Sequence, residues 1–556
     1  MADAHRHATP HRWTRLSAAA VAIALVTVAF TGVGGASVRH RAHQAKSGGD
    51  ITFGLEAETT AYCLTKGQYA ISGIQVIAAV YDTLTVPNSK GVATPYLAKS
   101  VEPNADFTVW TIGLREGVTF SDGTPVDAAA VKLNLDNYRG APDATQAGSL
   151  LPIIFTPIIQ DVTATDPLTV TVTLKTPVTA FADYLFLEGR MGIMAPAQIN
   201  AGEECATKMI GSGPFTLDTY APNEKTVVVK NPDYWQKGYP KADKITFVPV
   251  TDGAVRVTQL QGGQLNVMHT SSAQQIETLQ NSGQFKTLVQ QPGYREITYN
   301  FMLSDTAPFN SPVAREAFAT AIDRNTVNQI RNKGLFTVAN SLMDTKAPGY
   351  LKNAGYPAFN LKKAKKLVAQ YKAESGGSFD VVMGTTTDAE NSAELQLVAE
   401  QLNKAGINAT IATSDQATLI NKALSGSIDV LRWRNLHGSY SQSSDQDNYP
   451  WFSNYNVANP PPAKNLLNFG HFDDATTQDL LDQGRAAANV ADAKKIYTSY
   501  NQAMAKGLYL VPLWFVNWAI GYDPSVTLNL PALPDGNGKP QFIYGRIPVL
   551  GLSASN

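Results

Sequence analysis

Residues 109–136, VWTIGLREGVTFSDGTPVDAAAVKLNLD, pack two periodicities into one stretch. Trp110, Ile112 and Leu114 alternate with Thr111 and Gly113, the period of two expected of a half-buried strand. Asp122–Gly123 then turns the chain. Thr124 is placed to cap a helix, with Pro125 at its first position and Asp127 completing a capping-box-like pattern. Val131, Leu135 and Tyr138 fall on one helical face. Strand, turn and helix are therefore expected, with no histidine, cysteine or metal-ligand cluster among them.

Working outward, the first half of the chain is rich in strands. DITFGL (50–55) follows a Gly-Ser linker, and ISGIQVIAAV (71–80) places Ile74, Ile77, Ala78 and Tyr81 at core spacing. IIQDVTATD and LTVTVTLKTP form a hairpin around Asp166–Pro167, and two further strands follow at 211–220 and 226–235. A helix at 254–261 is stopped by Gly262–Gly263 and leads into another strand. After residue 296 the texture changes to alternating strands and helices, the pattern of an α/β region with a largely parallel sheet. A helix pair and a returning strand, LYLVPLWF (508–515), complete it.

The 556 residues suffice for two large lobes. A hydrophobic fraction of 44% and a charged fraction of 16% describe an ordinary globular protein. Six of the 45 basic but one of the 46 acidic residues fall within 1–46, so the rest carries 39 basic against 45 acidic, a net of about −6. A mildly acidic body argues against nucleic-acid binding. HRHATPHRWTR (5–15) before the apolar run LSAAAVAIALVTVAFTGVGGAS (16–37) reads as an export signal. The run is long enough that an uncleaved anchor competes with a cleaved peptide, so 1–46 is a signal peptide or an N-terminal anchor, and the body sits outside the cytoplasm. No cysteine follows the run, so there is no lipid-attachment site. Cys63 and Cys205, the two cysteines, are expected as one disulfide on compartment and even count. A catalytic thiol is the alternative.

Several motifs occur together and in order. AKSVEPNADFTVWTIGLR (98–115) continues into the opening stretch; with it come YDTL (81–84), GSGPF (211–215), NPDYW (231–235), REAFATAID (315–323) and VPLWF (511–515). Together they resemble the family 5 extracytoplasmic solute-binding proteins, the peptide- and nickel-type receptors of ABC importers, from residue 50 onward. The resemblance implies a two-lobed α/β fold of the periplasmic-binding-protein type II kind (cluster C) with an extra inserted subdomain. Lobe I is expected at 50–84, 190–296 and 519–556, the insertion at 85–189 and lobe II at 297–518, with the opening stretch as scaffold. It further implies an oligopeptide or related organic ligand held between the lobes by hinge closure, permease subunits as partners, a monomeric receptor and no cofactor.

The segment after the strand IDVLRW is the best candidate for a ligand wall, because ligands dock beyond the carboxyl ends of strands in α/β sheets. It offers Trp433, Arg434, Asn435, His437, Tyr440 and Asp445, with Tyr449 and Trp451 beyond; a solvated surface loop is the competing reading. The family resemblance implies an aspartate shortly after this strand that holds a peptide's α-ammonium group, and Asp445 is the residue here that could replace it. His269 follows a strand near the expected hinge, as a ligand contact or a hydrogen-bonded structural residue. Trp514 and Phe515 lie on the returning strand, where a core role competes with a binding one. A metal centre is poorly supported, since the body's histidines, His269, His437 and His471, are far apart. The alternatives in other classes are an exported hydrolase of peptides or glycans built on Asp445 with Asp447 or His437, a receptor without transport, and a binder of a nickel chelate.

Overall fold

Asp50–Leu55 runs in the middle of a seven-stranded sheet, parallel to both its neighbours, and buries Phe53 and Leu55. In order the sheet holds Lys286–Val289, Ala519–Tyr522, Val267–Thr270, Asp50–Leu55, Lys244–Pro249, Lys225–Lys230 and Phe215–Ala221. The computed structural model describes residues 48–555 except 60, 68, 149, 436–443 and 455–464. The expected signal or anchor therefore lies outside the described residues, as do His437 and Tyr440. All described residues belong to one unit, Ala45–Asn556. None of the described helices is long and apolar enough to cross a membrane.

A second sheet has six strands in the order Thr337–Val338, Leu510–Phe515, Ile297–Met302, Val430–Asn435, Asp380–Thr386 and Asn408–Ser414. Here the expectation of a largely parallel sheet fails. Asp380–Thr386 pairs in parallel with both Asn408–Ser414 and Val430–Asn435, but the other three pairings are antiparallel. The physical reason is connectivity: parallel neighbours need a crossover, supplied here by the helices Ala389–Ala405 and Gln416–Leu424. Ile297–Met302 and Leu510–Phe515 instead enter from and leave for the first sheet. Two short passages, 290–296 and 516–518, carry the chain between the two sheets.

The opening stretch sits in a third, four-stranded antiparallel sheet, Ala98–Pro103, Val109–Leu114, Thr169–Leu174 and Ile159–Asp166. Trp110, Ile112 and Leu114 point inward as their period requires, and Leu168 N–H closes the 166–168 turn on Asp166. The helix begins later than expected. Its cap is Asp127, whose carboxylate accepts from Ala130 N–H, and the helix spans Ala128–Tyr138. Thr124 is spent on the preceding turn, where its N–H and hydroxyl both bond Asp122, and Pro125 bridges to Thr119 in extended conformation. Gly123, at φ +83°, makes that turn possible. Val131, Leu135 and Tyr138 are fully buried. Cys63 and Cys205 form a disulfide within the core.

Candidate functional site

Where the first and second sheets meet, charged side chains span the junction. Val267–Thr270 delivers His269 to a fully buried position between the rings of Phe53, 5.9 Å away, and Trp518, 5.4 Å away. His269 Nε2 accepts the Glu56 N–H at 2.9 Å and lies 3.3 Å from the Ser72 hydroxyl. Burial pushes the imidazole down to about 4, the nearby Glu56 carboxylate opposing, so it is neutral at physiological pH. His269 thereby fixes the backbone that presents Glu56.

Glu56 follows the first strand and reaches the second sheet. Arg434, on Val430–Asn435, donates to Glu56 Oε1 at 2.7 Å and to the Ser271 hydroxyl at 2.7 Å. Its Nε is 3.3 Å from Glu296 Oε2, and its guanidinium lies 4.6 Å from the Trp518 ring. Burial works against all three charges, yet the paired carboxylates hold Arg434 above its usual value and Arg434 holds Glu56 below its own. Glu296 is different. Burial outweighs the arginine and raises it to about 6, with Trp518 Nε1–H donating to its carboxylate. A second link runs parallel to the first: Glu390, at the start of the helix Ala389–Ala405, accepts from the Ser272 hydroxyl at 2.8 Å and from Arg331 at 2.7 Å.

Asp445 opens the helix Asp445–Phe452 and is fully buried. Tyr184 donates to its Oδ2 at 2.7 Å, and Arg485 Nε stands 3.3 Å from Oδ1. Arg485 also donates to the Tyr184 hydroxyl and lies 3.3 Å from the centre of the Tyr449 ring. A cation from the chain itself thus already occupies the position beside Asp445. Nearby, Trp433 and Trp451 pack edge-on against Phe469 at 5.0 and 5.8 Å, and Trp433 is half-buried. Trp514 and Phe515 are buried on the returning strand, where they pair with Thr298 and Ile297; Phe515 lies beneath Arg295, which is held by Asp344 at 2.9 Å.

The structure therefore joins His269 and Arg434 in one cluster through Glu56, and sets Trp433 and Trp451 around one phenylalanine. Asn435 ends its strand, opposite Ile297. Sequence reasoning missed Glu56, Ser271, Glu296, Trp518, Glu390 and Arg485, which complete these networks. A usable signal existed for Glu56, which directly follows a strand at the sheet's carboxyl edge, where ligand sites concentrate. Among the described residues no group of three histidine, cysteine or carboxylate side chains is arranged to hold a metal ion. A separate cavity of about 470 Å³ borders Arg324, Asn340 and Tyr356; Arg324 there is spent on the carbonyls of Ala339 and Pro512, a loop-bracing role.

Residues 93–496 match the model of the bacterial extracellular solute-binding proteins, family 5. The glutathione-binding protein GsiB of Shigella boydii is 27% identical over 418 residues, 75% of this chain and 79% of that protein. Two solved structures share the fold. The binding protein AgaA from A. tumefacien R10, in complex with agropinic acid, superposes with a TM-score of 0.79 at 24% identity, covering 91% of this chain and 99% of that one. DppA from Helicobacter pylori, in complex with the peptide STSA, gives 0.79 at 20% identity, covering 92% and 99%.

Proposed function

We propose, from the premise that this chain belongs to the family 5 bacterial extracellular solute-binding proteins, that it captures an oligopeptide or related organic solute and hands it to an ABC importer. The observation that carries this reading is the Arg434 clasp. One side chain of the six-stranded sheet bonds Glu56 and Ser271 beside the seven-stranded sheet, while only 290–296 and 516–518 join the sheets covalently. Two bodies on two short passages, latched by polar contacts, suit hinge closure. A ligand between them then favours the closed state by the difference in its affinity for the two.

In this reading lobe I comprises 50–84, 190–296 and 519–556, the insertion 85–189 and lobe II 297–518. Trp433, Asn435, His437 and Tyr440 contact the ligand, with Trp451 and Tyr449 supplying aromatic faces. Arg434 and His269 serve closure, Asp445 is balanced by Arg485, and Trp514 and Phe515 stiffen the returning strand. The related proteins are named for glutathione and solved with a peptide or agropinic acid, which supports an organic solute of that size. The protein works outside the cytoplasm as a monomer, exported by the apolar run at 16–37. It makes and breaks no covalent bond, and ATP hydrolysis belongs to partner subunits.

Native mass spectrometry of protein purified without denaturation identifies the retained solute, and small-angle scattering with and without it tests closure. Contraction with the solute recovered intact is expected. Unchanged dimensions, or conversion of the solute, would overturn the proposal.

A further inference from the structure

Arg324 is a buried cation without an anion beside it. It opens the helix Arg324–Asn332 and is 8% exposed. Its two terminal nitrogens donate to the carbonyls of Ala339, Pro512 and Pro357 and to Asn340 Oδ1. Those acceptors hold the guanidinium in place but are neutral. Among the described residues no carboxylate pairs with it and nothing accepts from its Nε–H, and burial pulls its value down. Arg324 borders the cavity of about 470 Å³, a volume within the roughly 300–1,000 Å³ of small-molecule sites. Tyr356 lines the same cavity and is 6% exposed, and its hydroxyl has no hydrogen-bond partner among the described residues. Ile322 gives the lining an apolar wall, and Phe359, 44% exposed, leaves a ring uncovered there. No lining residue belongs to the networks around Arg434 or Asp445.

We infer that this cavity is a binding site for a small organic monocarboxylate with an apolar body, separate from the junction of the two sheets. Charge sets the class. Of the charged side chains on the lining, Arg324 and Lys352 are positive and Asp323 is negative, a balance that one carboxylate neutralises. Asp323 is not the missing counter-ion. Its two oxygens accept the Thr326 N–H at 3.2 Å and the Thr326 hydroxyl at 2.7 Å, which caps the helix. A desolvated guanidinium held by neutral acceptors alone is costly, and a bound carboxylate relieves that cost through a charge-assisted hydrogen bond. The Nε–H of Arg324 and the Tyr356 hydroxyl are donors still without an acceptor. The start of the helix acts in the same direction, since its dipole favours negative charge there. Lys352 is exposed and draws an anion towards the opening. A phosphate ester would bring a second charge that the lining does not balance. The apolar body follows from Ile322 and Phe359, whose surface an occupant removes from water.

The test titrates the full-length protein by calorimetry with 3-phenylpropionate, with the uncharged 3-phenylpropan-1-ol and with inorganic phosphate. The carboxylate is expected to bind saturably at one site, and the alcohol about tenfold to a hundredfold more weakly. Arg324→Gln should weaken the carboxylate by a similar factor. Because Arg324 also braces loop carbonyls, two exposed lining positions keep the test decisive should that variant unfold. Ala358→Trp should abolish binding by filling the cavity, and Lys352→Gln should weaken it about two- to fivefold, both with the wild-type thermal midpoint. Absence of carboxylate binding, equal affinity for the alcohol, or unchanged affinity in Ala358→Trp overturns the inference. Phosphate binding as tightly as the carboxylate overturns the assigned ligand class. None of these results bears on closure of the two sheets around a solute.

Discussion

Arg434 shows how a single side chain can serve two bodies. Replacing it with glutamine removes the cation that bonds Glu56 and stands beside Glu296. We expect a loss of about 1–3 kcal/mol of stability, and a smaller combined loss when Glu56→Gln is added, as denaturant titration of the four proteins of the cycle would reveal; strict additivity would mean that the two side chains are not coupled. Titration gives a second handle. Burial raises Asp82 to about 7 despite hydrogen bonds from Trp235 and Tyr234, and raises Glu296 to about 6. A carboxyl whose folded value exceeds its unfolded one binds its proton more tightly in the native state. Its contribution is therefore complete below about pH 4 and is lost as pH climbs through 6 to 7. Unfolding free energy should fall between about pH 4 and 7, and Asp82→Asn should flatten that slope; an equally steep profile in the variant would contradict the assignment.

At the scale of elements, the helix Ala128–Tyr138 separates two readings of its start. Asp127→Ala should cost about 1 kcal/mol through loss of the cap, whereas Thr124→Ala should loosen only the Asp122 turn, and chemical denaturation can rank the two. Most strands and helices were legible, because alternation and the 3.6-residue period survive wherever one face is buried, as in Trp110–Leu114 and Val131–Tyr138. The cap was misplaced because Thr124 and Asp127 both suit that role, and the competing bond to Asp122 is invisible without geometry. Strand direction in the second sheet was misjudged for a related reason: periodicity reports which face is buried, while direction depends on where the chain has come from. The partners of Arg434 and Asp445 were out of reach too, since Glu56 and Arg485 approach them from distant elements.

For the whole molecule, the Cys63–Cys205 bridge encloses a separation of 142 residues that includes all four strands of the third sheet. On a chain-entropy model such a loop contributes roughly 4–5 kcal/mol, so the double variant Cys63→Ser/Cys205→Ser should melt well below the parent under oxidising conditions, and reductant should lower the parent to the same value. Two bodies were legible from the change of texture at residue 296 and from motif order, because those signals are spread along the whole chain. The first sheet carries one more implication. Ala519–Tyr522 is wedged between Val267–Thr270 and Lys286–Val289, so two strands wait for a neighbour that follows them by more than 200 residues. The layer therefore closes only through pairings far apart along the chain, which loop-closure entropy makes late and slow to form.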